Sequence, residues 1–273
     1  MRKGVLLIVG AFLLIASSCE EAEKFFDLPL TDAEIAEGLK AALNEGTDES
    51  TTSASAVDGY LKNELIKILL PEEVKNLQSE INTGSIAGVI SYQDLLDLYV
   101  ATNPNIDTDP FEELITAMNR GAEAAAAKAK PIFVDAIVNM SITDALVILQ
   151  GGETSATEYF IQKTRTQLIN GFQPDITSAL GQTKAIDIYD GIHGFMNYEY
   201  EVDLIVTKQT YAVNDYLQYN LPESIDGYAT EKAVDGLFTL IAGEEKKIRA
   251  NPYSYASDII QKVFGSDEAQ AAL

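Results

Sequence analysis

Apolar side chains recur at intervals of three and four residues along most of this chain, which is the spacing that one face of an α-helix presents. The first such run, Ile35–Leu43, follows Thr31 and Glu34, whose spacing predicts a capping box at a helix start. Gly46 is placed to end this helix, because glycine readily adopts the backbone conformation found at helix C-termini. The pattern therefore predicts a first helix that ends near Gly46, followed by a loop over residues 47–55.

Signals for helix starts recur downstream, as first-turn prolines and as capping residues placed three positions before an acidic residue. They occur at Pro71, Asp109–Glu112, Ser141–Asp144 and Ser155–Glu158. Strand signals are few: the best is a cluster of β-branched residues over 201–207, and no Asn-Gly or Asp-Gly pair separates two alternating runs. We therefore predict an all-α fold, a single irregular bundle of roughly ten helices with at most a minor strand element near residues 201–207.

The first 18 residues have the pattern of a secretory signal peptide, in which basic residues precede an apolar run. That run, Val5–Ala16, would span about 18 Å as a helix, whereas a helix that crosses a bilayer needs roughly 20 residues. The only cysteine follows it, and Ile15-Ala16-Ser17-Ser18-Cys19 resembles a lipobox in which Ala16 replaces the usual leucine. We expect residues 1–18 to be removed and Cys19 to be lipidated, with ordinary signal cleavage as the alternative.

The charge of the chain limits its partners. There are 42 acidic residues against 19 lysines and arginines, a formal net charge of −23, which argues against binding nucleic acid. An anionic bilayer surface repels such a body too, so we expect membrane contact only through acyl chains on Cys19. The expected location is the cell envelope, as a lipid-anchored protein of the outer membrane. Residues 19–29 form an acidic tether, which is either a solvated spacer or a signal for display at the cell surface.

Several short motifs follow one another in a fixed order through the chain. They include Asn119-Arg120-Gly121-Ala122-Glu123, Lys130-Pro131-Ile132-Phe133, Ile148-Leu149-Gln150-Gly151-Gly152, Tyr228-Ala229-Thr230-Glu231-Lys232, Glu244-Glu245 and Val263-Phe264-Gly265. In this order they resemble the bacterial envelope proteins grouped as domain of unknown function 4197. The resemblance implies a helical, exported, often lipid-anchored domain with no assigned activity. It covers residues 30–265, within which 85–109 looks like an insertion and 186–220 follows the family pattern poorly, and it leaves 266–273 as a C-terminal tail.

Charged residues inside these motifs are the candidates for a functional site, because they lie on helices that are otherwise apolar. They are Arg120, Glu123, Asp144, Glu231, Lys232 and Arg249. A charged side chain on an apolar face needs a partner of opposite charge or a hydrogen-bonding group. We predict that these residues form interhelical ion pairs and helix caps, or alternatively that they line a ligand pocket.

The usual catalytic arrangements are incomplete in this chain, so we predict no catalytic residue and no cofactor. His193 is the only histidine, and no Gly-x-Ser-x-Gly motif accompanies it. Asp187, Asp190 and His193 are spaced to share one helical face and could in principle hold a metal. Glycines at 191 and 194 weaken that helix, so a surface or capping role is favoured.

A second candidate for metal binding is a short run of alternating oxygen ligands, the residues Asn103, Asn105, Asp107 and Asp109. This alternation resembles the opening of a calcium loop, in which ligands two residues apart converge on one cation. The sixth position is Thr108 instead of glycine, and the twelfth is Leu114 instead of a bidentate glutamate. We therefore predict a loop capped by aspartate, and no metal site.

Tyrosines concentrate in the C-terminal third of the chain, including Tyr198, Tyr200, Tyr211, Tyr216 and Tyr219. Their rings suit either packing between helices or contact with a partner. Our leading hypothesis is a non-enzymatic binding or support domain whose partner is an envelope protein or a glycan. The alternative is a carboxylate-dependent hydrolase acting on cell-wall or carbohydrate material, for which 42 acidic residues offer too many pairs to single one out.

Overall fold

The computed structural model describes residues 30–86, 88, 90–103, 109–182, 184–204 and 207–271. Helices dominate this part of the chain, so the prediction of an all-α fold is confirmed. The helices are α1 (Asp32–Ser55), α2 (Glu72–Thr83), α3 (Tyr92–Thr102), α4 (Pro110–Ala126), α5 (Ala129–Val138), α6 (Ile142–Leu149), α7 (Ser155–Gln182), α8 (Ala185–Met196), α9 (Ile225–Ala250), α10 (Asp258–Phe264) and α11 (Asp267–Gln270).

Helix α1 begins as predicted but ends later than predicted. The Glu34 amide donates a hydrogen bond to the Thr31 hydroxyl at 3.3 Å, and the Thr31 amide donates to the Glu34 carboxylate at 2.9 Å. The helix continues through Gly46, so residues 47–55 form its last turns and the predicted loop is wrong. A Cβ at Gly46 would meet α9 at 3.6 Å, and Thr51 is buried with its hydroxyl donating to a carbonyl one turn earlier. Packing against α9 outweighs the local preference of glycine for a helix end.

Two short antiparallel hairpins interrupt the helices. Strands β1 (Ser85–Ile86) and β2 (Ile90–Ser91) precede α3, and strands β3 (Glu199–Leu204) and β4 (Thr207–Ala212) follow α8. The strand predicted near residues 201–207 therefore exists, but it pairs with a second strand that was not predicted. The first four residues of β4 are exposed and polar, so they show no alternation from which a strand could be recognised.

The two long helices α7 and α9 pack along each other, and α1 and α4 pack against them. Aromatic rings fill the space beside this pair: the Phe133 centroid lies 5.3 Å from that of Phe160 and 6.1 Å from that of Phe238. The alanine-rich stretch over residues 122–129 buries its inward positions, which lets α4 approach α7 closely. The core of the bundle therefore lies between α7 and α9 and the helices that flank them.

A loop over residues 56–71 connects α1 to α2 and crosses both α4 and α9. Tyr60 is fully buried, and its hydroxyl donates to the Ala233 carbonyl of α9 at 2.6 Å. Ile68 is held through its backbone, because the Asn119 side chain of α4 accepts from its amide and donates to its carbonyl, both at 2.8 Å. These contacts give the loop a defined path although it contains neither helix nor strand.

The last described residues pack back on the bundle. Within residues 266–273, predicted as a C-terminal tail, α11 is capped by Ser266, whose hydroxyl accepts from the Ala269 amide at 3.3 Å. The Gln270 side chain donates to the carbonyls of Arg249 and Phe264 at 3.2 and 2.8 Å. Helix α11 is thereby attached to the ends of α9 and α10.

Among the described helices, no single one is both long and apolar enough to cross a bilayer. Helices α5 and α6 pass that test only as a pair, and they are bent by 104° relative to each other. Residues 1–29, which contain the predicted signal peptide, Cys19 and the acidic tether, lie outside the described residues, so those predictions stay predictions.

Candidate functional site

Arg249 is buried where α6 meets α7, beside Glu245 one turn earlier on α9; their side chains are 2% and 6% exposed. The Glu245 carboxylate accepts from the amides of Ala156 and Thr157, in the first turn of α7, at 2.9 and 2.8 Å. Arg249 donates to Glu245 at 3.0 Å and to the last two carbonyls of α6 at 2.9 and 3.3 Å. Since a helix leaves amides free at its start and carbonyls free at its end, this pair caps two helices from a third.

A second cluster joins Arg120 and Glu123 of α4 to the loop that follows α1. The Arg120 guanidinium donates to Glu123 and to Asp58, both at 2.7 Å. The other Glu123 oxygen accepts from the amides of Tyr60 and its successor, both at 3.2 Å. Hydrogen bonds from Lys62 and Arg120 hold the pKa of Asp58 below its usual range. The cluster therefore attaches the loop to α4 by its backbone as well as by ion pairs.

Two buried polar residues with structural roles were not predicted from the sequence: Asn119, which holds the 56–71 loop, and Glu245, which caps α7. Both lie within the motifs that carry the family resemblance, and each is close to a predicted candidate: Asn119 is next to Arg120, and Glu245 is four residues before Arg249. The available signal was a polar residue at an inward-facing position of an apolar helix, where its hydrogen-bonding groups need partners.

The remaining three candidates lie apart from these clusters. Asp144 forms a capping box with Ser141, whose hydroxyl and amide donate to its carboxylate at 2.7 and 3.2 Å and hold its pKa below the usual range. Glu231 is exposed on α9. Lys232 is exposed too, with its ammonium 5.7 Å from the centroid of the Tyr228 ring. The six candidates are therefore distributed over separate places and do not meet in one pocket.

An open groove of about 530 Å³ lies between α9 and the end of the 56–71 loop; we call it the α9 groove. Its walls are residues 65–70 and Glu72 on one side, and Tyr228, Lys232, Asp235, Gly236 and Thr239 on the other. Leu65 and Leu69 are 77% and 58% exposed there. Among the predicted site residues, Lys232 is the one that lines this groove.

The two walls of the α9 groove are joined at defined points. The Tyr228 hydroxyl donates to the Leu69 carbonyl at 3.0 Å, and burial raises the pKa of this tyrosine. Gly236 permits a close approach deeper in the fold, where a Cβ would lie 2.9 Å from the Tyr60 ring and 3.1 Å from Cβ of Ile66. The 56–71 loop therefore contacts α9 both at Tyr228 and at Gly236.

Charges in the α9 groove are unevenly paired. Glu72 lies 3.9 Å from Lys75 of its own helix, and Asp235 forms an ion pair with Arg165 of α7. Lys67 is half-buried and Lys232 is exposed, and neither has a carboxylate partner within the described part of the chain. The lining of the groove therefore carries two carboxylates and two lysines, and its formal charges balance.

Further depressions in the described structure include two that lie against α9. One of about 390 Å³ lies between α7 and α9 and shares Asp235 and Thr239 with the α9 groove, so it continues the groove across the Arg165 ion pair. The other, about 10 Å³, is an apolar cavity between α1 and α9 lined by Leu39 and Ile241. Its volume holds about one water molecule and no larger ligand.

Among the residues whose positions are described, Asp187, Asp190 and His193 do not form a group that could hold a metal ion. Asp187 and Asp190 are exposed on α8, whereas His193 is half-buried, edge-to-face with Tyr189 at 4.8 Å between ring centroids. Nε2 of His193 is buried and has no hydrogen-bond partner among the described residues. The histidine therefore takes part in packing α8.

The run that resembles a calcium loop is described only in part, because Asn105 and Asp107 lie outside the described residues. Asp109 caps α4 by accepting from the amides of Phe111 and Glu112 at 3.1 and 3.2 Å, as the proline-containing start of that helix predicted. Among the residues with described positions, no group of three His, Cys, Asp or Glu side chains is placed to hold a metal ion.

Most of the C-terminal tyrosines pack against the bundle. Tyr198, Tyr200, Tyr211 and Tyr219 are half-buried on the core, and the Tyr198 ring meets that of Tyr99 edge-on at 5.4 Å. Tyr216 is the more open one, beside Tyr211 at 6.3 Å between centroids. These rings attach the β3–β4 hairpin to the helices.

The fold and its site define a class of protein: a helical bundle whose buried charges join helices and loops, with an open groove beside α9. The chain belongs to the family described as Protein of unknown function (DUF4197), whose model matches residues 29–102 and 105–265, and the predicted family is confirmed. The matched ranges include most of residues 85–109 and all of 186–220, the segments where the motifs are weakest. Comparisons with curated proteins and with solved structures gave no match.

Proposed function

We propose that this protein is a lipid-anchored domain of the cell envelope that binds a partner in the α9 groove without catalysing a reaction. The observation that carries the proposal is the contrast between the groove and the buried clusters. Leu65 and Leu69 are exposed in an open groove, whereas Arg120, Glu123 and Arg249 make their hydrogen bonds inside the fold. Exposed aliphatic side chains in a concave surface are typical of a binding site.

The carboxylates give less support to the alternative, a hydrolase. Such an enzyme needs one carboxyl group with a raised pKa beside one that stays ionised. The described carboxyl groups with a clearly shifted pKa, those of Glu34, Asp58, Asp144 and Asp226, are all shifted downward by hydrogen bonds. Each of the two acids that line the groove lies within ion-pair distance of a base, Glu72 of Lys75 and Asp235 of Arg165.

The anchor rests on the N-terminal sequence. Residues 1–18 have the pattern of a signal peptide, and the single cysteine follows it directly. A chain with a formal charge of −23 is repelled by an anionic bilayer surface, so acyl chains on Cys19 are the expected means of attachment. The acidic residues that follow place a spacer between the anchor and Leu30, where the described structure begins.

The proposal is tested in cells with a photo-reactive amino acid in place of Leu69, in the full chain. The matched control carries the same group in place of Val147 on α6, which is 66% exposed but outside the groove. We expect a discrete crosslinked partner at Leu69 and none at Val147. Envelope fractions from wild type and Cys19→Ala cells test the anchor, and we expect only the wild type to sediment with membranes.

Equal crosslinking at both positions, or none at Leu69, contradicts the binding role of the groove. Equal sedimentation of wild type and Cys19→Ala contradicts the anchor alone. Hydrolysis of cell-wall material by the wild type that is lost in Asp235→Asn would favour the enzymatic alternative.

A further inference from the structure

We infer that an exposed aliphatic ridge where α5 meets α6 rests on the bilayer that holds the anchor, with electrically neutral lipid as its partner. The inference rests on the lipid anchor of the proposed function and adds to it a contact made by the folded domain. The ridge consists of Val134 and Val138 of α5 and Ile142 of α6, which are 36%, 67% and 49% exposed. We call these three side chains the α5–α6 ridge.

The side chains of the α5–α6 ridge flank the corner between the two helices. Val134 and Val138 are four residues apart, so they share one face of α5, opposite the face that is buried in the core. Ile142 begins α6, whose axis is bent by 104° from that of α5. Val147 is also exposed, but it lies five residues beyond Ile142 and therefore about 140° around α6, so it does not belong to the ridge.

The sequence that carries the ridge is poor in charge. Residues 131–149 contain two charged side chains, Asp135 and Asp144, although charged residues make up 22% of the whole chain. The Asp144 carboxylate is turned to Ser141 in the capping box. Helices α5 and α6 are apolar enough to pass the test for a membrane span as a pair, yet their outer side chains are exposed. An exposed aliphatic surface with little charge matches the apolar region of a bilayer.

The ridge lies toward the end of α1 at which the chain runs to the anchor. Helix α5 is antiparallel to α1: Lys130 near its start pairs with Asp48, and the Val138 carbonyl at its end accepts from the Lys40 ammonium at 3.1 Å. Since a helix rises 1.5 Å per residue, Lys40 is about 12 Å along α1 from its first residue. The last residue of α1 is about 22 Å further on.

The chain between the anchor and α1 is long enough for the ridge to reach the bilayer. Eleven residues lead from Cys19 to Leu30, and a fully extended chain of that length spans at most about 40 Å. The start of α1 therefore stays within about 40 Å of the anchor, and the ridge is close to that start. A domain tied at this end can turn the ridge onto the lipid and leave the far end of α1 in water.

A lipid surface fits the ridge better than a protein partner does. Protein interfaces are centred on aromatic and arginine side chains that fill pockets. The ridge consists of two valines and an isoleucine, and none of the three depressions described above is lined by them. The formal charge of −23 also limits the choice of lipid, because an anionic surface repels the domain. The expected partner is therefore a neutral lipid surface.

The test uses the full chain with its anchor, reconstituted into phosphatidylcholine vesicles that contain a nitroxide-labelled quencher lipid. A fluorescent amino acid replaces Ile142, and in a second protein it replaces Val57, which is 83% exposed just beyond the far end of α1. The protein with the reporter at position 142 is compared with Val134→Gln/Val138→Gln and with the control Val57→Gln/Val147→Gln in the same background. The control removes two exposed valines outside the ridge. Each form is checked for an unchanged circular dichroism spectrum and for flotation with the vesicles.

We expect the reporter at position 142 to lose about half of its fluorescence, because side chains in such a contact enter about 5–10 Å into the boundary between headgroups and acyl chains. The reporter at position 57 should keep nearly all of its fluorescence. Val134→Gln/Val138→Gln should remove most of the quenching at position 142, whereas the control should not. Anionic lipid in place of part of the phosphatidylcholine should also reduce the quenching, and added salt should restore it.

Equal quenching at positions 142 and 57, or none at 142, in protein that floats with the vesicles would overturn the inference and leave the anchor intact. Quenching that is unchanged in Val134→Gln/Val138→Gln, or that increases with anionic lipid, would overturn it as well. Protein that does not float with the vesicles would overturn the anchor and the inference together. Crosslinking at Leu69 tests the α9 groove independently of these outcomes.

Discussion

Single charged residues in this protein act at long range, on the ends of elements far away in sequence. Glu245 accepts from amides 88 and 89 residues away, and Arg249 donates to carbonyls 100 and 101 residues away. A buried carboxylate and guanidinium are costly to desolvate, but each is placed at the helix terminus whose partial charge is opposite to its own. This placement explains why two charges are kept inside an otherwise apolar core.

Arg249→Met should lower the free energy of unfolding by about 3–5 kcal/mol, because it leaves Glu245 as a buried charge without its ion-pair partner. Urea denaturation followed by circular dichroism measures this change. The control is Arg165→Met, which breaks an ion pair that is about one-third exposed, and it should cost less than about 1 kcal/mol. Similar losses for the two variants would show that the buried pair has no special role.

At the scale of elements, α9 links the parts of the fold: it caps α6 and α7, packs against α7 and α1, and carries one wall of the groove. Its glycines mark where other elements approach. A Cβ at Gly236 would lie 2.9 Å from the buried Tyr60 ring, whereas nothing lies within 4 Å of a Cβ at Gly243. Substitutions at these two positions therefore distinguish the effect of packing from the effect of helix propensity within the same helix.

Gly236→Ala should lower the free energy of unfolding by about 1–2 kcal/mol, since the added methyl group forces a shift of Tyr60 that exceeds the gain in helix propensity. Gly243→Ala should raise it by about 0.5–1 kcal/mol, because only the propensity changes. Thermal and urea unfolding of both variants measure the difference. Stabilisation by both substitutions would mean that the loop can move away from α9 at little cost.

Elements whose signals are local could be predicted from the sequence, and elements set by distant contacts could not. The capping boxes at Thr31 and Ser141 involve residues three apart, so their patterns were sufficient. The continuation of α1 past Gly46 depends on contact with α9, and β4 depends on its partner strand. For the site, Arg120, Glu123 and Arg249 stood out as charges on apolar helices. The groove did not, because residues 65–70 have no helical periodicity and α9 is distant in sequence.

At the scale of the whole molecule, an ion pair holds the two ends of the described chain together. Lys262 of α10 donates to Glu34 of α1 at 2.6 Å, across 228 residues of sequence. With the capping-box hydrogen bonds from Thr31, this contact lowers the pKa of Glu34 from 4.5 to about 2. A carboxyl group with a lowered pKa stabilises the fold at pH values above its unfolded pKa, and this contribution is lost as the pH falls through the folded pKa.

Glu34→Gln should therefore be less stable than wild type at pH 6, and the difference should close as the pH falls from about 4.5 to about 2. Denaturation with urea at a series of pH values measures it. Glu37→Gln, at an exposed position of the same helix, removes the same charge as a control for the net charge of the molecule. A difference from wild type that is constant over this pH range would contradict the assignment.

The capping of α6 and α7 by α9 also sets an order in which the chain can finish folding. Until residues 245–249 are available, the corner between α6 and α7 has exposed amides and carbonyls that cannot be buried without cost. Closing contacts across 88 to 101 residues is slow compared with forming a helix. During synthesis the N-terminal part of the chain is released first. The corner between α6 and α7 therefore remains uncapped until most of the chain, including residues 245–249, has been released.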